Sequence, residues 1–334
     1  MSVAIVILNY NGKAFLEKFL PQVIATSPEG EIYVADNGST DNSITWLASN
    51  HPNIKLIKSP TNLGYAGGYN FALKQINTDF FVLMNSDIEP KKDWLKNLLT
   101  YFQANPNVAA AQPFILSYHE PDKFEYAGAA GGFWDKYGYA FCRGRIFDSL
   151  ESQDQQYESG LVNWATGACL MIKSKAYWEV GGLDSYFFAH MEEIDLCWRL
   201  QRAGHDIAAV SSSEVYHVGG GTLPQGNPQK TYLNFRNNLI LLYKNLEPKK
   251  RFKILFVRML FDGLAGAQFL SKAEFSQITA ILKAHRDFYG YLLFEKNKEN
   301  LATSLQKKYV TSYEGSIVWD YFIRKIKRFS ELHF

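Results

Sequence analysis

The first third of the chain alternates between short apolar, β-branched runs and amphipathic stretches, and this alternation restricts the fold more than any other feature. Its spacing predicts strands at Val3–Leu8, Ile32–Asp36, Ile54–Ser59, Phe80–Met84 and Val108–Gln112, separated by helices at Lys13–Thr26, Asn42–Asn50, Tyr65–Gln75 and Asp93–Asn105. Strands alternating with helices build βαβ units and a largely parallel sheet. Four of the strands are near-continuous apolar runs, as expected when helices cover both faces of a sheet. The expected class is α/β.

At 334 residues, and about 150 residues per domain, the chain has room for two units. The strand–helix alternation continues into the segment ending near residue 225, whereas from Gln229 the pattern is mostly helical, so the expected division is 1–225 and a helical C-terminal region 226–334. Between Glu120 and Ser159 the chain turns Gly-rich and aromatic, then polar, with no sustained period; such stretches within compact domains are usually functional or mobile. A composition of 47% hydrophobic and 20% charged residues excludes disorder of the whole chain. With 35 Lys and Arg against 33 Asp and Glu, the net charge of +2 gives no field to favour nucleic acid, and no nucleic-acid partner is expected. Cys142, Cys169 and Cys197 are odd in number and far apart, which fits reduced packing residues in the cytoplasm. The N-terminal apolar run lacks a basic flank and a small-residue cleavage site, so it reads as a strand. Ile254–Leu270 is interrupted by Arg258, Asp262 and Gln268, and no transmembrane span is expected there.

In an open parallel sheet, ligands bind at the carboxyl ends of the strands. Here those ends are unusually polar: Asn9-Tyr10-Asn11-Gly12, Asp36 to Asp41, Asn62 to Asn70, and Asn85-Ser86-Asp87. Any one of them could be turn or cap chemistry, but four in succession at one edge point to a ligand. A dinucleotide fold would need Gly-x-Gly-x-x-Gly after the first strand, where only Gly12 stands, and a Walker phosphate loop is absent. The small residues from Gly64 to Gly68 open a helix whose N–H groups can approach a nucleotide or diphosphate. Asp87 can hold a hard divalent cation that bridges diphosphate oxygens; the bland alternative is a cap before Pro90. Glu192-Glu193-x-Asp195 places acids in the first turn of a helix, where clustering raises their pKa values and suits one of them as a general base. The alternative is ordinary helix-start charge. His217, at the exit of a strand and the start of a glycine loop, can reach a metal through its imidazole.

Taken together, the stretches Val3–Gly12, Asp36–Asp41, Asn62–Asn70, Met84–Pro90, Trp164–Ile172, Gly181–Arg199 and Val215–Gly220 resemble the family-two inverting nucleotide-sugar glycosyltransferases of GT-A type. They are similar above all to bacterial members that build rhamnosyl and other surface polysaccharide linkages. The resemblance implies a GT-A fold, Rossmann-like with flanking helices, and transfer of a hexosyl or deoxyhexosyl group. The donor would be a nucleotide-diphosphate sugar, the acceptor a glycan or lipid-linked hydroxyl, and the cofactor Mg²⁺ or Mn²⁺. Asp36 and Asn37 would hold the base and ribose, with Asn9, Asn62, Gly64, Gly67, Asn70 and Ser86 completing the nucleotide site. Asp87 resembles the last acid of the Asp-x-Asp metal motif, whose first acid is Asn85 here, and His217 matches a position that helps bind metal or diphosphate. Glu192-Glu193 resembles the family's Glu-Asp base motif, with Glu193 favoured as the base. Trp164, Thr166 and Gly167, together with Asp195, would face sugar and acceptor.

Two other classes compete with this reading: a catalytically silent sugar-nucleotide or glycan-binding module, suggested by Asn85 and Glu193, and a nucleotidyltransferase. The second would need a basic Gly-rich loop after the first strand, where Asn9-Tyr10-Asn11-Gly12 is a poor fit. Aromatic and basic residues interleave at Lys249–Arg258 and Tyr321–Phe329. This pattern fits peripheral contact with the cytoplasmic face of the inner membrane, or else helix packing on the domain or a homodimer.

Overall fold

The computed structural model describes residues 1–125, 127–153, 157–219, 226–294 and 312–334. The elements run β1 (Val3–Asn9), α1 (Lys13–Thr26), β2 (Glu31–Asp36), α2 (Ser43–Asn50), β3 (Lys55–Lys58), α3 (Gly64–Leu73), β4 (Phe80–Asn85), β5 (Ile88–Pro90), α4 (Trp94–Ala104) and β6 (Val108–Ser117). They continue as β7 (Gly132–Trp134), β8 (Ala140–Cys142), β9 (Arg145–Ile146), β10 (Ser149–Leu150), β11 (Gly160–Val162), β12 (Cys169–Lys173), α5 (Ser174–Glu179), α6 (Glu192–Arg202) and β13 (Asp206–His217). The C-terminal part holds α7 (Pro228–Asn245), α8 (Pro248–Ser271), α9 (Phe275–Phe294) and α10 (Ile317–Phe322).

The main sheet has the order β11-β13-β6-β12-β4-β1-β2-β3, with β5 added on β13. Strands β3, β2, β1 and β4 are mutually parallel, and so are β6 and β13; β12 runs antiparallel between the two groups. Asn9 lies opposite Asp36, Leu8 opposite Asn85 and Asp36 opposite Lys58, so parallel pairing puts the polar strand ends on one rim. The α/β class and the strand–helix order agree with the pattern read from the sequence. All three cysteines are buried and unpaired.

The aperiodic Gly-rich segment folds as a separate antiparallel sheet, β7 to β10. Its strands are two or three residues long, too short for a period-2 signal to emerge. A side chain at Gly132 would collide with the ring of Trp164, whose Nε1 donates to the carbonyl of Phe133 at 2.9 Å. The glycine is there to let that ring lie flat on the backbone.

The expected boundary at 225/226 falls beside residues 220–225, which include Gly220 and Gly221 of the glycine loop and lie outside the described residues. Beyond it, α7 packs on α9 and α6. Tyr321 and Phe329 face the domain, against Phe147 and Phe133 respectively, so packing accounts for these two aromatic residues, while Phe322 is exposed. By length and composition helix α8 is apolar enough to cross a membrane. Two of the polar residues taken as interruptions, Arg258 and Asp262, are turned inward, onto the Tyr139 ring and His285. That leaves no exposed charge on the helix from Ile254 to Ser271; Gln268, the third of these polar residues, is exposed.

Candidate active site

The polar rim is braced by its own side chains. Asn9 Nδ2 donates to Asp36, Ser39 and Ser43 at 3.1–3.2 Å, tying the ends of β1 and β2 together. Asn37 Nδ2 donates to Asn62 and to the Gly64 carbonyl, and its Oδ1 accepts from Leu63 N. Asn70 reaches further, donating to the Leu183 carbonyl at 2.6 Å and accepting from the Tyr177 hydroxyl at 2.7 Å. These bonds shape the loops that surround a cleft of about 520 Å³.

At one side of the cleft stands Asp87, just past β4. Its Oδ1 lies 3.3 Å from His217 Nε2, and its Oδ2 accepts from Gly219 N at 3.2 Å. The other imidazole nitrogen, Nδ1, lies 3.0 Å from Glu125. Burial opposes both charges, yet the His217 bond and charge hold the Asp87 carboxyl below the usual carboxylate range, while the two carboxylates push His217 up to about 10. Glu125 fixes Nδ1, the kind of support that a metal-binding imidazole has, while Nε2 pairs with Asp87; to hold a cation through Nε2 the imidazole would have to give up the proton that this pairing favours. No group of three or more potential ligands converges among the described residues. Asp87 and His217 therefore suit a cation whose remaining positions are taken by diphosphate oxygens and water, as is common for Mg²⁺ and Mn²⁺.

At the other side α6 begins. Its first turn carries Glu192, Glu193 and Asp195, and its last turn Arg199 and Arg202, an order matching the helix dipole. Glu192 and Glu193 each have a buried Oε2 with no partner among the described residues. Burial, and then the charge of Glu193, raises the Glu192 pKa well above normal. Burial raises Glu193 as well, but backbone N–H groups at the head of α6 partly offset the rise. Both carboxyls are thus held above the ordinary carboxylate range by burial, and the backbone amides at the head of α6 favour the ionised form of Glu193. Asp195 points the other way, into a buried cluster with Arg199 Nε at 2.7 Å, Asn245 Nδ2 at 2.7 Å and Lys244 Nζ at 3.3 Å.

The acids are delivered by a turn of unusual backbone. Phe188, His190 and Met191 have φ of 64°, 70° and 75°, a left-handed region costly for non-glycine residues. The turn is held from two directions: Tyr65 N donates to the Phe188 carbonyl at 2.7 Å, and Asn237 Nδ2 from α7 donates to the carbonyls of Phe187, Ala189 and His190. Gly64, at φ 73°, has no room for a side chain because the Phe188 ring and carbonyl occupy the space. Burial, then the charge of Lys230, lowers His190 to about 4, so its imidazole is neutral at neutral pH.

Of the residues singled out from the sequence, the structure brings Glu192, Glu193, Asn62, Gly64, Ser86, Asp87, Thr166, Gly167 and His217 onto the wall of this one cleft. Asn9, Asp36, Asn37, Gly67, Asn70, Trp164 and Asp195 are not on that wall. Asn9, Asp36, Asn37 and Asn70 brace the loops, Trp164 packs beneath Gly132, Asp195 ties α6 to α7, and Gly67 sits against Leu63. Sequence reasoning missed Tyr65, Phe188, His190 and Lys230 on the wall, and Glu125 and Asn237 behind it. His190 directly precedes the acidic run and Glu125 sits in the unusual Gly-rich stretch; Lys230 and Asn237 carry no local signal.

The family described as Glycosyl transferase family 2 matches residues 4–181, which take in Asp87 and stop short of Glu192. The N-acetylglucosaminyl-diphospho-decaprenol L-rhamnosyltransferase of Mycobacterium tuberculosis is 28% identical over 232 residues, 64% of this chain and 75% of that protein. Among solved structures, the mannosyltransferase PcManGT from Pyrobaculum calidifontis, in complex with GDP-Man and Mn²⁺, superposes with a TM-score of 0.52 at 14% identity, covering 88% of this chain and 87% of that one. GalNAc-T7 with UDP, GalNAc and Mn²⁺ gives a TM-score of 0.57 at 15% identity over 72% of this chain, which spans only 47% of that one.

Proposed function

Because the chain belongs to glycosyl transferase family 2, we propose that it moves a sugar from a nucleotide-diphosphate donor to a hydroxyl of a glycan or lipid-linked acceptor, inverting the anomeric carbon. One observation carries the reading: the Asp87–His217 pair and the Glu192–Glu193 pair, more than a hundred residues apart in the chain, line the same cleft. A site with a diphosphate grip on one side and a buried base on the other is what a single displacement needs. A lipid-linked acceptor is supported by the name of the Mycobacterium tuberculosis relative, which specifies a decaprenol-linked one.

In this mechanism the donor diphosphate lies beside Asp87, Ser86 and Asn62, and the acceptor hydroxyl enters beside Glu193. Glu193 takes the hydroxyl proton as the acceptor oxygen bonds to the anomeric carbon, and the bond from that carbon to the diphosphate breaks in the same displacement. The Glu192 carboxyl, which burial holds above the ordinary carboxylate range, stands beside Glu193 and can hydrogen-bond to the acceptor or the sugar. A divalent cation held by Asp87 and His217 would neutralise charge developing on the departing diphosphate. No covalent glycosyl–enzyme intermediate is required.

The test is a panel of nucleotide sugars with Mn²⁺ or Mg²⁺, reading release of nucleoside diphosphate in the presence of candidate acceptors. Donor binding without turnover for every acceptor would favour the silent binding module. Retention of anomeric configuration in the product would rule out direct displacement.

A further inference from the structure

We propose that the outer face of α8, continued by α9, docks on an anionic bilayer surface, with the helices lying in the plane of the headgroup–acyl boundary. On α8 the side chains of Phe252, Phe256, Leu260, Leu264 and Leu270 are all more than half exposed, Phe252 at 74%. They recur every four residues and then six, so they form one stripe. From Ile254 to Ser271 no exposed residue carries a charge, because Arg258 and Asp262 are buried on the opposite side. This reverses the usual arrangement of a surface helix, whose apolar stripe faces the core. The hydroxyl of Tyr289 reaches the Met259 sulfur and His285 pairs with Asp262, setting α9 antiparallel beside α8. Its own outer face carries Phe275, Leu282 and Leu293, exposed by 64%, 67% and 72%, with the exposed guanidinium of Arg286 on the same face.

A row of five large apolar side chains exposed along one helix face goes beyond the singly scattered apolar residues of an ordinary protein surface. The charge around it selects the partner. Lys249, Lys250 and Lys253 are exposed at the head of α8, with Lys249 and Lys253 on the side of the apolar stripe. An apolar stripe that ends in clustered lysines complements acyl chains beneath anionic headgroups. A span across the bilayer is disfavoured by the inward face: Arg258 lies 3.4 Å from the centre of the Tyr139 ring, and Asp262 pairs with His285 at 2.9 Å, so the polar side of α8 is fastened to the protein along its middle. The inference uses no residue of the cleft and stands or falls apart from the transferase reading.

The experiment is flotation of the full chain with vesicles of phosphatidylcholine alone or mixed with phosphatidylglycerol, at low and high salt, alongside light scattering of the free protein. The expected result is binding to the anionic vesicles at low salt, release by high salt or alkaline carbonate, and weak binding to neutral vesicles. The double variant Phe256→Glu/Leu260→Glu should lower the bound fraction by about tenfold or more, and Lys249→Gln/Lys253→Gln by about tenfold. Both should leave the melting temperature and nucleotide release in solution unchanged, since all four side chains are exposed and remote from the cleft. Absence of vesicle binding, equal binding to neutral vesicles, or retention after carbonate would overturn the proposal. So would a dimer in solution that Phe256→Glu/Leu260→Glu dissociates while vesicle binding persists.

Discussion

Asn237 donates from its side-chain amide to the carbonyl of His190 at 2.7 Å, two residues before the carboxylates that face the cleft. The same amide reaches the carbonyls of Phe187 and Ala189. One buried side chain of the C-terminal helices thus holds the strained turn that leads into Glu192 and Glu193, although it does not itself line the cleft.

Replacing Asn237 by Leu removes these bonds and leaves buried carbonyls without a donor. The expected cost is about 2 kcal/mol of stability, read by denaturant unfolding. Turnover should fall further than donor affinity, because the turn positions the base rather than the nucleotide; equal losses in both would contradict the positioning role.

The two glutamates should separate by substitution. Glu193→Gln is expected to lower kcat by about a thousandfold with donor binding largely retained, measured by diphosphate release and by donor titration. If Glu192→Gln shows this behaviour instead and Glu193→Gln turns over normally, the roles are reversed.

Their raised pKa values also fix the direction of pH effects. A base whose pKa lies above the ordinary carboxylate range is ionised only above that raised value, so kcat/KM should climb with pH through a midpoint higher than that of a free glutamate. Stability runs the opposite way. A group that binds its proton more tightly when folded favours the native state below its unfolded pKa, and that contribution is lost as pH rises toward the folded value. Glu192→Gln should therefore raise the melting temperature at neutral pH and lose this advantage toward pH 4, measured by melting at a series of pH values.

On the opposite side of the cleft, Glu125 supports His217 through Nδ1. Glu125→Gln should weaken Mn²⁺ binding by about 10- to 100-fold, read by titrating the protein with Mn²⁺ and a nucleoside diphosphate. Asp87→Ala should abolish the metal-dependent part of donor binding altogether.

Asp195 is expected to matter for folding instead. Asp195→Ala leaves Arg199 and Lys244 buried without their shared carboxylate, at a cost of about 3–5 kcal/mol. A variant that folds with unchanged stability but has lost donor or acceptor binding would return Asp195 to the cleft.

Much of this arrangement is written locally. Hydrophobic periodicity marks the strands and helices from Val3 to Gln112, because each run reports its own period and burial, and the polar residues after those strands mark the rim. The short strands from Gly132 to Leu150 are not legible, since two or three residues cannot establish a period. Nor can sequence spacing say that Trp164 lies under Gly132, or that Asp195, three residues from Glu192, points away from the cleft into a cluster with α7.

Sequence by itself determined the alternating α/β plan, the polar edge of the sheet and the identity of the acids at the head of α6, because these depend on neighbours along the chain. Only the tertiary structure decided which of these residues meet across the cleft, that Glu125 stands behind His217, that Asn237 holds the turn of the base, and that α8 turns its charges inward. The physical reason is that burial and direction are set by contacts between distant segments: the same kind of carboxylate is available to act as a base where backbone amides and a cleft surround it, and is a structural anchor where Arg199 and Lys244 close over it.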